Sequence, residues 1–162
     1  MPDSFQFCPR CGKPLEVRSL DGRERQVCSA QCGYIHYDNP TPVVAALAER
    51  EGQVLLVRNR GWPEKWFGLV SGFLERDESP EAGCLRELKE ELGLDGQIVS
   101  LIGAYGFPER NELIIAYHVR ASGPVVVGPE LEGYKEIDPS RLRPWPFGTG
   151  KAVADWLARR RT

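Results

Sequence analysis

The stretch Gly72-Phe73-Leu74-Glu75-Arg76-Asp77-Glu78-Ser79-Pro80-Glu81-Ala82-Gly83-Cys84-Leu85-Arg86-Glu87-Leu88-Lys89-Glu90-Glu91-Leu92-Gly93-Leu94 decides how the rest of the chain is read. Ser79 is a good helix N-cap, and Pro80 suits the first helical position, where a missing N–H costs nothing. Gly93 follows Leu92 as a helix-ending residue. The spacing therefore predicts a helix over Pro80 to Leu92, with Leu85, Leu88 and Leu92 forming one core-facing stripe. Glu87, Glu90 and Glu91 fall on a different face, roughly 100° or more from that stripe, with their carboxylates side by side. Lys89 is turned away, so the three acids repel one another unless hard, oxygen-loving cations sit among them. Mg²⁺ or Mn²⁺ fits best, because each keeps several waters and bridges to phosphates. From the helix alone, an ordinary Glu-rich solvated surface is an equal reading.

The whole stretch tips the balance. It resembles the Nudix box, G-x5-E-x7-R-E-U-x-E-E-x-G-U with U aliphatic, and agrees at all nine specified positions of the 23-residue frame. The resemblance implies that Glu87, Glu90 and Glu91 ligate metal and that the backbone carbonyl of Gly72 joins the coordination shell. It implies that Arg86 and Glu78 pair to hold loop and helix in register. The implied reaction is attack of a metal-activated water on a phosphorus of an X-linked nucleoside diphosphate. A carboxylate then accepts the water's proton. Glu90 or Glu91 could do so, or one from a late loop, where Glu130-Leu131-Glu132-Gly133 is the matching region. Glu130 is the first choice and Glu132 the second, with plain loop solvation an equal reading for each. The implied fold is an α/β/α sandwich of the Nudix type, and a small-molecule nucleotide is the implied substrate.

Outward from the box, the patterning agrees with an α/β domain. Val43 to Ala48 and Val54 to Val57 flank a polar turn and read as a β-hairpin. Further strand candidates are Gly68 to Val70, Ile98 to Tyr105, Leu113 to Val119 and Val125 to Val127. A second helix is expected over Gly150 to Arg160. Strands outnumber helices and are joined by short turns, so a mixed sheet with flanking helices follows.

Upstream the chemistry changes. Cys8-Pro9-Arg10-Cys11 and Cys28-Ser29-Ala30-Gln31-Cys32 are paired cysteines with a strand-length excursion between them. That spacing suits a tetrahedral, structural Zn²⁺ of the ribbon kind, with Gly12 and Gly33 permitting the tight turns. Reduced, unligated thiols are the alternative. Cys84 reads as a small buried residue. Asp38-Asn39-Pro40-Thr41-Pro42 is a connector. The expected organisation is a small zinc ribbon over 1–37 and a Nudix domain over 38–162. A ribbon ahead of a Nudix domain resembles the NADH pyrophosphatase branch and its relatives, as does the junction from Cys32 to Pro40. Those enzymes carry S-Q-P-W-P-F-P-x-S soon after the box, where this chain has Tyr105-Gly106-Phe107-Pro108-Glu109-Arg110. A related string, Arg143-Pro144-Trp145-Pro146-Phe147, comes much later, so nicotinamide-dinucleotide specificity is not carried over.

Whole-chain numbers bound the rest. The 162 residues suffice for one ordinary domain plus an appendage, and 41% hydrophobic with 27% charged content is globular. A net charge of −2 argues against gripping nucleic acid by overall charge. No apolar run approaches the ~20 residues that span a bilayer, and no secretory signal is visible, so a cytoplasmic protein without a membrane partner is the default. Nudix proteins often pair, so a homodimer is the expectation. His118 reads as a satisfied sheet residue, His36 as part of the junction, and Arg159-Arg160-Arg161 as complementing the negative end of the last helix. Trp62, Trp66, Phe67, Tyr105 and Phe107 are core or base-stacking aromatics, and Arg110 could meet a phosphate. Two other readings stay open: a zinc-ribbon module that senses a nucleotide without cleaving it, and a processor of nucleotide-capped RNA.

Overall fold

An Asp21-Gly22 turn, both residues at positive φ (51° and 75°), folds Leu15–Leu20 (β1) onto Arg23–Cys28 (β2). Asp-Gly is the pair that such a hairpin turn favours, because both central residues sit in the left-handed region. Ile35–His36 (β3) pairs with the other edge of β2. The computed structural model describes residues 5–160, and the chain divides into two compact units between Asn39 and Pro40, two residues beyond the expected boundary at 37. In the first unit, Cys8, Val27 and Cys28 are the buried apolar residues, which is too little to make a core by itself.

In the second unit, Thr41–Arg50 (β4) is the organising strand. Residues Val43 to Ala48 are all buried, the unbroken apolar run of a strand covered on both faces. Gln53–Asn59 (β5) pairs with its upper half and Val70–Phe73 (β6) with its lower half, both antiparallel. On β4's other edge lies Glu112–Ser122 (β8), parallel to it and antiparallel to Asp95–Phe107 (β7). Leu131–Ile137 (β9) closes the far side against β5. The sheet is mixed, in the order β7-β8-β4-β5-β9.

Helices cover both faces. Pro80–Leu92 (α1) packs Cys84, Leu88 and Leu92 against Val44, Ala46 and Ala48. Gly150–Arg160 (α2) packs Ala152, Val153 and Trp156 against Val43, Ala45 and Leu47. The alternation of β4 thus feeds two cores, and each fully buried leucine contributes roughly 1.5–3 kcal/mol relative to exposure. This is the expected α/β/α sandwich.

Four local expectations need correction. Val125 to Val127 is not a strand: the Val126 N–H donates to Leu92 O at 2.8 Å, so the segment caps α1 instead of joining a ladder. The region from Leu131 onward is a strand and not a loop. Gly68 makes only an isolated bridge to Val57, and the strand begins at Val70. Arg159 and Arg160 do more than complement the end of α2. Arg159 donates to the carbonyls of Leu101 and Ile102, while Arg160 pairs with Glu49 at 3.1 Å and lies over Trp156. Arg161 lies outside the described residues. His118 is indeed a packed sheet residue, 3.0 Å from Glu49 and edge-on to Trp156. No described helix is long and apolar enough to cross a membrane.

Candidate active site

The acidic face of α1 is built by its caps. The Ser79 hydroxyl accepts the Ala82 N–H at 3.2 Å, and Gly93 takes the left-handed turn that ends the helix at φ 69°. This fixes where Glu87, Glu90 and Glu91 emerge. They do not emerge equally. The Glu90 side chain is 60% exposed, that of Glu87 14%, and Glu91 as a residue only 5%. The sequence reading put all three on one face; it did not anticipate that Glu91 would be inside.

Opposite them stands β6. A Cβ on Gly72 would fall 2.1 Å from the Glu87 carboxyl, so only glycine lets the strand approach this closely. Glu91 accepts the backbone N–H of Ser71, but its Oε2 is buried with no hydrogen-bond partner. Burial, then the charge of Glu87, pushes the Glu91 carboxyl up to about 8. Burial also raises Glu87, against the pull of Arg86. A carboxylate held dry with an unmet oxygen beside other carboxylates is a site short of positive charge.

Arg86 supplies part of it. Its Nη2 and Nε reach the two oxygens of Glu78 at 2.7 and 3.1 Å, a bidentate pair. Its Nη1 reaches Glu87 at 2.7 Å and Glu90 at 3.0 Å, and Nη2 also donates to Phe73 O. Glu78 also accepts the Glu75 N–H at 2.7 Å, and Arg86 with that N–H holds its carboxyl near 2. The geometry therefore ties the loop after β6 to α1, and it adds contacts from Arg86 to Glu87 and Glu90 that spacing alone did not disclose.

A second segment is clamped to the end of the helix. Gly128 donates its N–H to Glu91 O at 2.8 Å, and a Cβ there would meet Glu90 O at 2.4 Å. Two residues on, Glu130 enters the same cavity and adds its charge to that felt by Glu87 and Glu91. Glu132 is placed elsewhere: it pairs with Arg58 at 3.0 Å and does not line the cavity.

This first cavity is about 690 Å³, within the ~300–1,000 Å³ range of small-molecule sites. Asn59, Trp62, Ser71 and Glu112 also line it, and all but Trp62 went unremarked in the sequence. Asn59 Oδ1 is buried there without a partner, at the end of an apolar strand run where an amide is out of pattern. Arg110 lines it as well. Trp66, Phe67 and Phe107 instead line an adjoining cavity of about 830 Å³, which Trp62 also reaches. Tyr105 lines neither and donates its hydroxyl to Asp155 at 2.6 Å.

The donor set fits a hard divalent cation: oxygen-only, carboxylate-rich and electrostatically unmet. The oxygens are not drawn tightly together, since Arg86 stands between Glu87 and Glu90. Among the described residues, the tightest grouping of metal-ligating side chains is Cys8, Cys11, Cys28 and Cys32, whose sulfurs all lie within 4.8 Å of one another. The Cys8–Cys32 and Cys11–Cys28 sulfurs are 3.5 and 3.4 Å apart, close to the ~3.8 Å edge of a tetrahedron with Zn–S bonds of about 2.3 Å. The backbone N–H of Arg10 donates to Cys8, and that of Cys32 leads the interactions lowering Cys28 to about 6. Gly12 and Gly33 both take positive φ at the turns, 69° and 85°. Cys84 is buried in the α1 core and belongs to neither site.

Known proteins resemble this chain in sequence and fold. The NUDIX domain family matches residues 39–156, and the zinc-ribbon family described as Nudix N-terminal matches residues 6–38. Among curated proteins, the NAD-capped RNA hydrolase NudC of Stutzerimonas stutzeri is 32% identical over 77% of this chain and 45% of that protein. The protein of the same name from Pseudomonas putida KT2440 is 27% identical over 94% of this chain and 54% of its own length. The chain thus spans about half the length of the curated relatives it matches. Among solved structures, a NUDIX hydrolase from Nitrosomonas europaea superposes with a TM-score of 0.82 at 25% identity, covering 97% of this chain and 93% of that one. An ADP-ribose pyrophosphatase from Streptococcus suis shares the fold, with a TM-score of 0.63 at 20% identity over 76% of this chain and 94% of that one.

Proposed function

This chain belongs to the Nudix family and is a Nudix hydrolase, and from that premise we propose that it cleaves the diphosphate of a nucleoside diphosphate derivative. The substrate is of the ADP-ribose, NADH or FAD type, and the products are a nucleoside monophosphate and a second phosphate. The observation that carries this reading is Glu91, a buried acid with an unpartnered oxygen, which feels the charges of Glu87 and Glu130 and lines with them a cavity of about 690 Å³.

Glu87, Glu90 and Glu91, with the Gly72 carbonyl, are the residues to hold Mg²⁺ or Mn²⁺. When bound, such a cation lowers the pKa of a water and neutralises the diphosphate. Glu130, two residues beyond the Gly128 clamp and lining the same cavity, is our choice for the group that accepts the proton of the attacking water. Arg86 and Glu78 touch no substrate in this scheme and keep the ligands in register. Arg110 faces both cavities and meets the phosphate on the leaving half. Cys8, Cys11, Cys28 and Cys32 hold a structural Zn²⁺, because all four corners are protein sulfur and no position is left for chemistry.

A panel of diphosphate substrates with Mg²⁺ and Mn²⁺, read by mass spectrometry of the products, tests the activity. Glu90→Gln and Glu91→Gln should each slow turnover by orders of magnitude with the fold intact. Parental rates in both would sink the site assignment.

A second reading is favoured by the relatives, whose printed name is NAD-capped RNA hydrolase. Net charge alone argued against nucleic acid, but that argument concerns grip along a backbone and not cleavage of a diphosphate at one end. Release of the cap from NAD-capped RNA, resolved on a gel, would support this reading. The non-hydrolysing sensor is disfavoured, because none of the box glutamates is lost.

A further inference from the structure

The two cavities share Val43, Trp62, Ser71, Arg110 and Glu112 in their walls and therefore lie side by side as two adjoining chambers. Their charge is opposite. The first chamber is lined by six glutamates and two arginines. The second is lined by five cationic side chains, Lys65, Arg110, Lys135, Arg141 and Arg143, against Glu109 and Glu112. In a chain of net charge −2, that excess of positive charge in one chamber is a local feature and not the average surface.

The second chamber is also aromatic. Trp66 and Phe147 lie 5.8 Å apart at a tilted angle, and Trp62, Phe67, Phe107 and Trp145 complete the walls. Lys135 sits 4.1 Å over the Phe67 ring. Three of the cations have no strong carboxylate partner. Lys65, Lys135 and Arg141 form no ion pair of 4 Å or less among the described residues. Arg143 spends one nitrogen on the carbonyls of Ser140 and Leu142, and Arg110 lies 3.6 Å from Glu112. An uncharged base and ribose would satisfy the aromatic walls and bring no anion to Lys65, Lys135 and Arg141.

Resting on the diphosphatase reading above, we propose that the second chamber selects a nucleoside whose ribose carries its own phosphate monoester, outside the scissile diphosphate. The two chambers divide the work. A diphosphate entering the glutamate chamber needs added cations, whereas a phosphate entering the second meets fixed ones, exposed at its walls and free to close on an anion. All five cations line one bounded chamber, which suits a terminal monoester better than a running nucleic-acid backbone. Arg141 and Lys135 are the specificity-determining residues, with Arg143 beside them.

The test uses the full chain with Mg²⁺ and two substrate pairs, NADH with NADPH and ADP-ribose with its 2′-phosphate. The expected result is kcat/KM at least ten-fold higher for the phosphorylated member, expressed mainly in KM. That ratio should fall toward one in Arg141→Ala and in Lys135→Ala. A ratio near one in the parent, or an unchanged ratio in both variants, overturns the proposal. A preference that appears only for an oligonucleotide joined through the ribose 3′ position, and is lost in the same variants, overturns the monoester and assigns the chamber to a nucleic-acid chain. Were no diphosphate cleaved at all, the activity reading would fall separately. Calorimetry of adenosine 2′,5′-bisphosphate against AMP would then judge the chamber by the same ten-fold criterion.

Discussion

Replacing Glu91 by glutamine should make the cation-free protein more stable in alkaline solution while destroying its turnover. Glu91 is 5% exposed, its Oε2 has no partner, and burial with the charge of Glu87 pushes its carboxyl from 4.5 to about 8. The folded state therefore holds this proton to higher pH than the unfolded chain does. Between about 4.5 and 8 the folded state binds more protons, so stability present at low pH is lost as pH rises through that window. At ~1.4 kcal/mol per pH unit the shift bounds the loss at roughly 5 kcal/mol. Glu87 titrates with Glu91 and shares the cost, so removing Glu91 alone should recover about half, some 2–3 kcal/mol above pH 8. For a chain of this size that is about 5–10 °C in melting temperature. Urea unfolding of parent and Glu91→Gln in Mg²⁺-free buffer from pH 5 to 9 reads the difference directly. The two should agree near pH 5 and diverge as pH rises, and adding Mg²⁺ should stabilise the parent far more than the variant. Superimposable curves across the range, or equal stabilisation by Mg²⁺, would refute the account of Glu91 as an electrostatically unmet ligand.

Other substitutions probe the frame around it. Gly72→Ala puts a methyl where the Glu87 carboxyl lies, so kcat should fall at least ~100-fold with the circular dichroism spectrum unchanged, since small displacements of a catalytic group carry penalties of that order. Arg86→Ala leaves Glu78, Glu87 and Glu90 without their shared partner and should cost ~2–3 kcal/mol in denaturant unfolding. Gly128→Ala pushes the segment bearing Glu130 off the end of α1 and should lower kcat with little change in KM. Cys28→Ser should take bound zinc from one equivalent to none by elemental analysis, and should expose residues 5–39 to limited proteolysis, because that unit has almost no apolar core.

The sequence disclosed α1 to the residue because Ser79, Pro80 and Gly93 are local signals that need no knowledge of the rest of the fold. The cysteine cluster was equally legible, since two close pairs with glycines behind them are local signals that bring four sulfurs together. Burial of Glu91 was not legible, because it depends on how close β6 comes, and that is set by Gly72 against Glu87. Val125 to Val127 looks like a strand by composition, yet the Val126 N–H is spent on Leu92 O at the end of α1. Leu131–Ile137 was missed for the converse reason. Leu-Glu-Gly-Tyr-Lys-Glu-Ile is a polar edge strand whose only strong signal is its partner β5, distant in sequence. Glu130 and Glu132 differ by two positions, and the sequence ranks Glu130 first only by the resemblance; in space Arg58 holds Glu132 away while Glu130 lines the cavity.

The parallel register of β4 with β8 sets the order in which the molecule can assemble. Val44 lies opposite Ile115, so the central pairing of the sheet joins residues about seventy apart in the chain. Closing such a loop costs about 4 kcal/mol of chain entropy, beyond a constant, before any contact repays it. Both apolar layers meet on β4, so neither is complete until β8 has arrived. The glutamate helix can form early from its own caps, but the wall it faces cannot. On a ribosome, catalytic competence should therefore appear abruptly and late, once β8 and the segment bearing Glu130 have emerged. In the folded protein the amides shared by β4 and β8 should be the slowest to exchange with solvent.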